Sequence, residues 1–148
     1  TVSLFSGTVG ENITIGVDDY DEKFLLKVSE ISGVMSWLGR TPNGFDYKLS
    51  EGGKELSGGQ RQTIAIARAL IRKPHYIILD EPTANMDTAT EQLVLKNLAE
   101  YFKDETVLIV THRMAPLSLV SRIVVLDNGR VNVDGPKEKI LERLKGAA

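Results

Sequence analysis

Apolar residues recur in the first third of the chain with the spacing of an amphipathic helix. Between Asp21 and Ser32 they stand three, four and seven positions apart, at positions 24, 25, 28 and 31. A segment rich in glycine and containing proline then continues to Gly53, a composition typical of loops. The first third is therefore predicted to be a small helical unit.

The rest of the chain alternates between helix-like and strand-like patterns. Residues 60–71, rich in Ala, Ile and Arg, and residues 88–102 predict helices. Short apolar runs over residues 75–79 and 106–110 predict buried strands. Because strands that alternate with helices are typical of a parallel sheet, an α/β core is expected.

Short-range signals predict how three of the later elements begin or turn. Thr88 and Glu91 have the spacing of a capping box at the start of a helix. Asn128 and Gly129 readily adopt the positive φ angles of a type I′ turn, and they separate two strand-like runs, which predicts a hairpin. Pro136 is predicted to stand at the first position of a final helix.

Composition and charge exclude several classes of protein. The chain has 148 residues, 42% of them hydrophobic, which suffices for one domain with a core. A net charge of −2 indicates no nucleic-acid partner and no polybasic membrane patch. The absence of cysteine excludes a disulfide scaffold and favours an intracellular protein. No apolar run could span a bilayer, and the start at Thr1 without an initiator Met suggests a piece of a longer protein.

The strongest chemical signal is the sequence Leu56-Ser57-Gly58-Gly59-Gln60, which precedes an Ala-rich helix. In the ordinary interpretation the glycines form a loop and Ser57 caps the helix. In the functional one, glycines let backbone N–H groups and the positive end of the helix approach a phosphate, and the serine adds a hydroxyl donor. The specificity of the five-residue string favours phosphate binding.

Two adjacent carboxylates, Asp80 and Glu81, follow the apolar run over residues 75–79. This strand is predicted to be buried on both faces, and the C-terminal end of such a strand is where α/β proteins bind ligands. A charge there requires a cation or donors, which makes Asp80 a candidate Mg²⁺ ligand through water. Glu81 is then placed to polarise an attacking water. In the alternative interpretation both acids only begin a solvated loop.

His112 follows the next strand-like run. A single histidine after a strand is more often structural than catalytic. However, neighbouring parallel strands end on one rim of the sheet, so His112 is expected beside Asp80 and Glu81, within reach of a phosphate or of the Glu81 carboxylate. His75 lies at the opposite end of its strand and is assigned no chemistry.

Together these motifs resemble the nucleotide-binding domain of ABC transporters over almost the whole chain. The order and spacing of the motifs agree with that family. The segments that carry the resemblance are 4–13 (after the Q-loop), 50–53 (X-loop), 56–60 (signature motif), 77–81 (Walker B), 84–87 (D-loop) and His112 (switch histidine).

The resemblance implies a fold and a set of site residues. The fold is the C-terminal half of a P-loop NTPase (RecA-like) α/β core, with residues 1–73 as the helical subdomain and 74–148 as the catalytic part. The activity is ATP hydrolysis with Mg²⁺, with Glu81 and His112 as catalytic residues and Asp80 as the metal ligand. The nucleotide-binding residues implied are Leu56, Ser57, Gly58, Gly59, Gln60, Asp80 and Asp87.

Partners and a location are implied in the same way. Two nucleotide-binding domains would form a head-to-tail dimer, with each ATP between the Walker A loop of one and the signature motif of the other. The X-loop would contact the coupling helices of a transmembrane domain, which would supply the only contact with the membrane. The domain would then lie on the cytoplasmic face of the bacterial inner membrane.

Within the family, three segments resemble type I secretion exporters of toxins, adhesins and peptides: 44–46, 84–87 and 125–130. The D-loop residues Asn85 and Met86 and the X-loop residue Ser50 depart from the common family pattern without changing the predicted function. No Gly-x-x-x-x-Gly-Lys-Ser/Thr occurs in the sequence, so the Walker A half is absent. The chain by itself is therefore predicted to have no meaningful ATPase activity.

Two alternatives stay open. Soluble ABC-type ATPases of DNA repair or chromosome maintenance share these motifs but contain a long coiled coil, whereas residues 14–55 show no sustained heptads. A non-hydrolysing domain with a structural role is the other alternative, and the presence of Ser57, Glu81 and His112 argues against it. Membrane-spanning segments upstream of the chain would exclude the first alternative, and ATP hydrolysis by the parent protein would exclude the second.

Overall fold

The computed structural model of the protein describes residues 2–146, in which helices combine with short sheets. The helices are α1 (Val9–Thr14), α2 (Glu22–Ile31), α3 (Met35–Leu38), α4 (Gly58–Leu70), α5 (Thr88–Tyr101) and α6 (Lys137–Gly146). The strands are β1 (Gly7–Thr8), β2 (Lys48–Leu49), β3 (Tyr76–Asp80), β4 (Thr106–Val110), β5 (Arg122–Asp127) and β6 (Arg130–Pro136). None of the helices in the described range has the length and hydrophobicity needed to cross a bilayer.

The helical first part is organised around α4, which packs against α1 and α2. The apolar spacing that predicted α2 is confirmed, and the Asp21 side chain caps that helix by accepting a bond from Lys23 N. On α4, Ile64 and Leu70 are completely buried. Burying each such side chain contributes about 1.5–3 kcal/mol, so these contacts hold the short helices of this part together.

Arg68 on α4 ties the N-terminal segment to the helix. Its guanidinium donates to the backbone oxygens of Asn12 (2.8 Å) and Ser3 (3.0 Å) and to the Asn12 side chain (3.1 Å), and it also lies over the Phe5 ring. Asn12 in turn pairs with both backbone groups of Phe5. Burial lowers the pKa of Arg68, and the hydrogen bonds offset the cost of burying its charge.

The predicted parallel sheet is present as the pair β3 and β4, in register from Tyr76 opposite Thr106 to Asp80 opposite Val110. The backbone N–H of Glu81 extends this ladder by donating to Val110 O (2.8 Å). Both strands therefore end on the same rim, which places the residues that follow them side by side.

The prediction that β3 is buried on both faces is wrong. Ile77 and Leu79 join the hydrophobic core, but Tyr76 and Ile78 are 79% and 72% exposed. Leu108 on β4 is exposed on the same sheet. Successive side chains of a strand point to opposite faces, and in the described structure the helices cover one of them.

The hairpin predicted near the C-terminus is confirmed, with one difference in the element that follows. Asn128 and Gly129 both adopt positive φ angles, 47° and 72°, and join β5 to β6. Pro136 is not the first helical residue as predicted, because it still pairs with Arg122 in the sheet. The helix α6 begins one residue later, at Lys137.

The predicted division at residue 73 falls in the loop between α4 and β3. One hydrophobic core contains side chains from both sides of this point, including Ile64 and Leu70 before it and Ile77 and Leu98 after it. The division into two subdomains stays a prediction.

Candidate functional site

The rim where β3 and β4 end brings Glu81 and His112 into direct contact. Glu81 Oε1 accepts a hydrogen bond from His112 N (2.9 Å) and lies 2.6 Å from His112 Nδ1. Glu81 Oε2 accepts from Thr111 Oγ1 (3.0 Å). The side chain of His112 is 82% exposed, whereas that of Glu81 is 29% exposed. The loop after β4 therefore holds the carboxylate in place while leaving most of the imidazole accessible.

These contacts affect the pKa of Glu81 and indicate which ring nitrogen of His112 carries a proton. Partial burial by itself would raise the pKa of Glu81, but the hydrogen bonds from His112 N, Thr111 and the His112 ring outweigh it and hold the pKa below its ordinary value. A carboxylate can only accept, so the short contact requires a proton on His112 Nδ1. In the neutral ring Nε2 then carries no proton, and it becomes a donor only in the imidazolium form.

The backbone of Glu81 adopts an uncommon conformation, with φ at 43°. Positive φ is strained for a residue with a side chain, and such strain concentrates at functional sites. The backbone oxygen of Glu81 accepts from Ala84 N (3.3 Å) and from the Gln62 side chain (3.4 Å). Helix α4 thus helps to support the loop that turns the carboxylate toward His112.

Asp80 lies at the last position of β3 and is exposed. Mg²⁺ retains several of its waters and is commonly held by one or two carboxylates together with phosphate oxygens. An exposed carboxylate on this rim fits such a contact through water. In the described part of the chain, no group of three or more acidic or histidine side chains is arranged to hold a metal ion unaided. Asp80 therefore fits a cation that arrives with its own phosphate ligands.

Ser57 is the N-cap of α4, in the geometry of the ordinary interpretation. Its Oγ accepts from Gln60 N (3.1 Å), and Gln60 Oε1 accepts from Ser57 N (2.8 Å), which completes a capping box. The Ser57 hydroxyl still has a proton to donate, and the first N–H groups of a helix have no partner within it. Leu56 is buried in the core and anchors the segment. The cap and the phosphate-binding interpretation are therefore compatible.

Gly58 and Gly59 have a packing role that sequence reasoning missed. A Cβ added to Gly58 would lie 3.0 Å from Asn85 Cβ, and one added to Gly59 would lie 2.9 Å from Asn85 O and 3.3 Å from Met86 Cα. At Gly59 a larger residue would require the Asn85 backbone to move, and at Gly58 it would require at least a small shift of the Asn85 side chain. The glycines thus let the residues that follow the carboxylate rim pack directly on the start of α4.

Asp87, and not Thr88, caps α5, so the predicted capping box of Thr88 and Glu91 is wrong. The Asp87 carboxylate accepts from Thr90 N (3.0 Å) and Thr90 Oγ1 (2.7 Å). These bonds hold the pKa of Asp87 below its ordinary value. Thr88 is already the first helical residue, because the aspartate one position earlier supplies the cap.

Glu91 lies buried behind the rim, another feature that sequence reasoning missed. Its carboxylate accepts from Thr83 Oγ1 (2.6 Å) and from Arg113 Nη2 (2.9 Å). A signal was present, because Glu91 continues the helical spacing of the apolar face of α5 at Val94 and Leu98. A glutamate in line with an apolar face is expected to be buried and paired.

A cleft of about 620 Å³ opens beside the start of α4 and extends to α3 and α5. Its walls include Ser57 and Gln60 on one side, Asn85 and Asp87 on another, and Trp37. The Trp37 ring is fixed by a hydrogen bond from Nε1 to Thr63 Oγ1 (3.0 Å). Four of the residues predicted to bind nucleotide, Ser57, Gly59, Gln60 and Asp87, thus face one opening. Asp80, Glu81 and His112 occupy the sheet rim.

Comparison with known proteins identifies relatives along the chain. The family described as "ABC transporter" matches residues 2–84. An ATP-dependent lipid A-core flippase of Desulfotalea psychrophila is 38% identical over 139 residues, which are 94% of this chain and 24% of that protein. ABC transporter B family member 13 of Arabidopsis thaliana is 34% identical over 141 residues, 95% of this chain and 11% of that protein.

The fold comparison agrees. A solved structure of a bacterial Atm1-family ABC exporter with ATP bound matches with a TM-score of 0.89 and 30% identity, covering 99% of this chain and 27% of that one. The chain therefore spans about a quarter of the length of the flippase and the exporter. Since the family match covers more than half of the chain and the fold is that of an exporter nucleotide-binding domain, the protein belongs to the ABC transporter family.

Proposed function

We propose that this chain is part of the ATP-hydrolysing motor of an ABC exporter, with Glu81 as the base and His112 as the residue that contacts the γ-phosphate. The observation that carries the proposal is the Glu81 carboxylate, held by Thr111 and His112 on the rim beside the exposed Asp80. The family membership and the ATP-bound exporter of the same fold support ATP as the substrate.

In the proposed reaction, the Glu81 carboxylate accepts a proton from a water molecule. The water oxygen attacks the γ-phosphorus, and the bond from that phosphorus to the bridging oxygen of ADP breaks. The lowered pKa keeps Glu81 ionised near neutral pH, so it is in the accepting form before the reaction. Mg²⁺, when bound near Asp80, would supply positive charge to the phosphate oxygens.

His112 and the start of α4 would stabilise the charge on the transferred phosphate. With Nδ1 engaged by Glu81, Nε2 is the ring atom left for a phosphate oxygen, and it donates when the ring is doubly protonated. The Ser57 hydroxyl and the Gly58 and Gly59 N–H groups form a donor set at a helix N-terminus. We assign this second set to the nucleotide of a partner domain, as in a head-to-tail dimer, with Leu56, Gln60 and Asp87 framing the contact.

The motor would act within a larger assembly. The Walker A loop is not among these 148 residues, so the phosphate cradle would have to come from sequence outside them, and the chain alone is expected to be inactive. Residues 50–53 would contact the coupling helices of a transmembrane domain at the cytoplasmic face of the membrane. The named relatives are a flippase, a family B transporter and an exporter, which favours this assembly over a soluble ATPase of DNA repair.

The transported substrate has two candidate classes. The resemblance of three segments to type I secretion exporters suggests a protein or peptide, whereas the relatives named lipid A-core flippase suggest a lipid. ATP hydrolysis by the full-length protein in vesicles distinguishes the two. Stimulation by lipid alone supports a lipid substrate, and stimulation by an added peptide cargo supports a protein or peptide substrate.

The proposed reaction is tested by the substitution Glu81→Gln in the full-length protein. The amide preserves the shape of the side chain but cannot take the proton, so ATP binding should persist while hydrolysis falls by about 10²-fold or more. The measurement is phosphate release together with the amount of bound ATP. Glu100→Gln, which alters an exposed glutamate paired with Lys103, is the matched control and should hydrolyse at the wild-type rate. Near wild-type hydrolysis by Glu81→Gln would show that Glu81 is not the base.

A further inference from the structure

A second set of contacts joins the two loops of the rim behind Glu81 and His112. Arg113 follows His112 directly in the chain, and its guanidinium donates to the Thr83 backbone oxygen and to Glu91 Oε2 (2.9 Å). Thr83 follows Glu81 by two residues, and its hydroxyl donates to Glu91 Oε1 (2.6 Å). The loop after β3, the loop after β4 and helix α5 therefore meet at one buried carboxylate.

These contacts close a ring with those of the catalytic pair. On the front side, Thr111 and His112 hold the Glu81 carboxylate. On the side away from that carboxylate, which we call the back side, Arg113 donates to the Thr83 backbone oxygen, and both residues donate to Glu91. The Arg113 backbone N–H also donates to Thr111 Oγ1 (3.1 Å), the same hydroxyl that donates to Glu81. A shift of Arg113 would thus move both residues that position the base.

The residues of the back side are mostly buried, which limits their movement. The Glu91 side chain is 8% exposed, Thr83 is completely buried, and the Arg113 side chain is 31% exposed. A buried ion pair contributes little net stability compared with apolar residues of the same volume, but removing one partner leaves a charge without compensation. The main contribution of the pair is therefore to geometry, because the planar guanidinium of Arg113 fixes the Thr83 backbone oxygen and Glu91 Oε2 relative to each other.

We propose that Arg113 and Glu91 are positioning residues that hold the His112 loop against Glu81, an inference that rests on the proposed hydrolytic function of this rim. Neither residue needs to touch the nucleotide. They act by fixing where Thr111 and His112 stand relative to the carboxylate, and Thr83 supplies the anchor on the opposite loop.

The test measures ATP hydrolysis by the full-length protein with three variants. Arg113→Met and Glu91→Gln should each lower kcat by about tenfold while KM for ATP changes less than about twofold, because the residues that bind nucleotide are unaltered. The Arg113→Met/Glu91→Gln double variant removes both charges, so its thermal stability should return toward that of the wild type. Its kcat should stay low. A role confined to stability predicts the opposite, with kcat recovering along with stability.

A second arm asks whether the effect passes through Glu81. In a Glu81→Gln background, Arg113→Met should lower the remaining single-turnover rate by less than about twofold, since residues that act as a unit are not additive. An equal loss of rate in both backgrounds would overturn the proposal. Arg113→Lys should give a kcat between those of Met and Arg, because it keeps the charge but not the planar fork.

The control is another pair of an arginine and a carboxylate, which lies outside the site. Arg122 contacts both oxygens of Asp134 (2.8 and 2.9 Å) on the exposed hairpin. The Arg122→Met/Asp134→Asn variant should hydrolyse ATP at the wild-type rate. If Glu81→Gln and His112→Ala also hydrolyse normally, the proposed function fails and this inference fails with it. If they are inactive while the Arg113 and Glu91 variants have wild-type kcat, this inference alone fails.

Discussion

At the scale of single residues, the charged groups of the site are held by neighbours that leave part of each group available. Glu81 is bound by Thr111 and His112, and Asp87 is bound by Thr90. In both cases hydrogen bonds lower the pKa of the carboxylate. Ionised carboxylates at these positions are consistent with a site that handles phosphates and a cation near neutral pH.

Because Asp87 caps α5, the stability of the protein should depend on pH in the acid range. The pKa of Asp87 is lowered in the folded state, so its contribution to stability is present above its unfolded pKa and is lost as the pH falls through its folded pKa, below about 4. Asp87→Asn retains a capping side chain without the titration. The difference in Tm between wild type and Asp87→Asn should therefore be constant near neutral pH and change below about pH 4. An unchanged difference across that range would contradict the assignment.

The packing role of Gly59 predicts a clear effect of one added methyl group. In Gly59→Ala the new Cβ would lie 2.9 Å from Asn85 O, so the free energy of unfolding should fall by about 1–3 kcal/mol. Gly39→Ala is the matched control, because its φ is −62° and its new Cβ would lie 3.9 Å from Met35 O. That change should be neutral or stabilise by up to about 1 kcal/mol. Chemical denaturation of both variants measures the difference, and equal stabilities would refute the close-packing argument.

At the scale of elements, helices α4 and α5 connect the parts of the site. The start of α4 carries Ser57 and the two glycines, and the same helix supports Glu81 through Gln62. Helix α5 begins at the Asp87 cap and carries Glu91 one turn later. Each helix therefore combines a packed core face with a terminus that belongs to the site.

The two faces of α5 should respond differently to truncation. Leu98 is completely buried, and Leu98→Ala should lower the free energy of unfolding by about 2–5 kcal/mol through lost burial and the cavity left behind. Leu93 lies on the same helix and is 42% exposed, so Leu93→Ala should change the free energy of unfolding by no more than about 0.5 kcal/mol. Thermal or denaturant unfolding measures both. Similar losses in the two variants would mean that α5 is not packed as described.

At the scale of the whole molecule, one face of the β3–β4 sheet is apolar and exposed in the described structure. Its exposed residues include Tyr76, Ile78, Leu108 and Val110. Neighbouring apolar side chains on a sheet, next to unpaired strand edges, favour association with other chains. The described structure thus combines a well-packed core on one side of the sheet with an exposed apolar surface on the other.

The isolated 148-residue chain is therefore expected to associate. Light scattering over a range of concentrations should show oligomers or aggregates, and Ile78→Thr/Leu108→Thr should shift the population toward the monomer. Leu26→Thr, which alters an exposed leucine on α2, is the control and should leave association unchanged. A wild-type chain that stays monomeric at all concentrations would contradict this prediction.

Several features follow from the sequence by itself because they depend on residues close together in the chain. Helix α2, the Asn128-Gly129 hairpin and the parallel pair of strands were all predicted from local spacing and turn chemistry. The motif residues Ser57, Glu81 and His112 were recognisable for the same reason, since each stands at a helix start or a strand end. The meeting of Glu81 and His112 on one rim followed from the single assumption that the strands are parallel.

Other features were decided by the tertiary structure, because they join residues that lie far apart in the chain. The clearance between Gly59 and Asn85 depends on how α4 approaches the loop after β3. The partners of Glu91 come from two loops, and local spacing suggested a helix cap for it instead. Which face of β3 is covered depends on where the helices pack. Local sequence sets the conformation of a segment, but only the packing of distant segments sets which side chains become buried, paired or exposed.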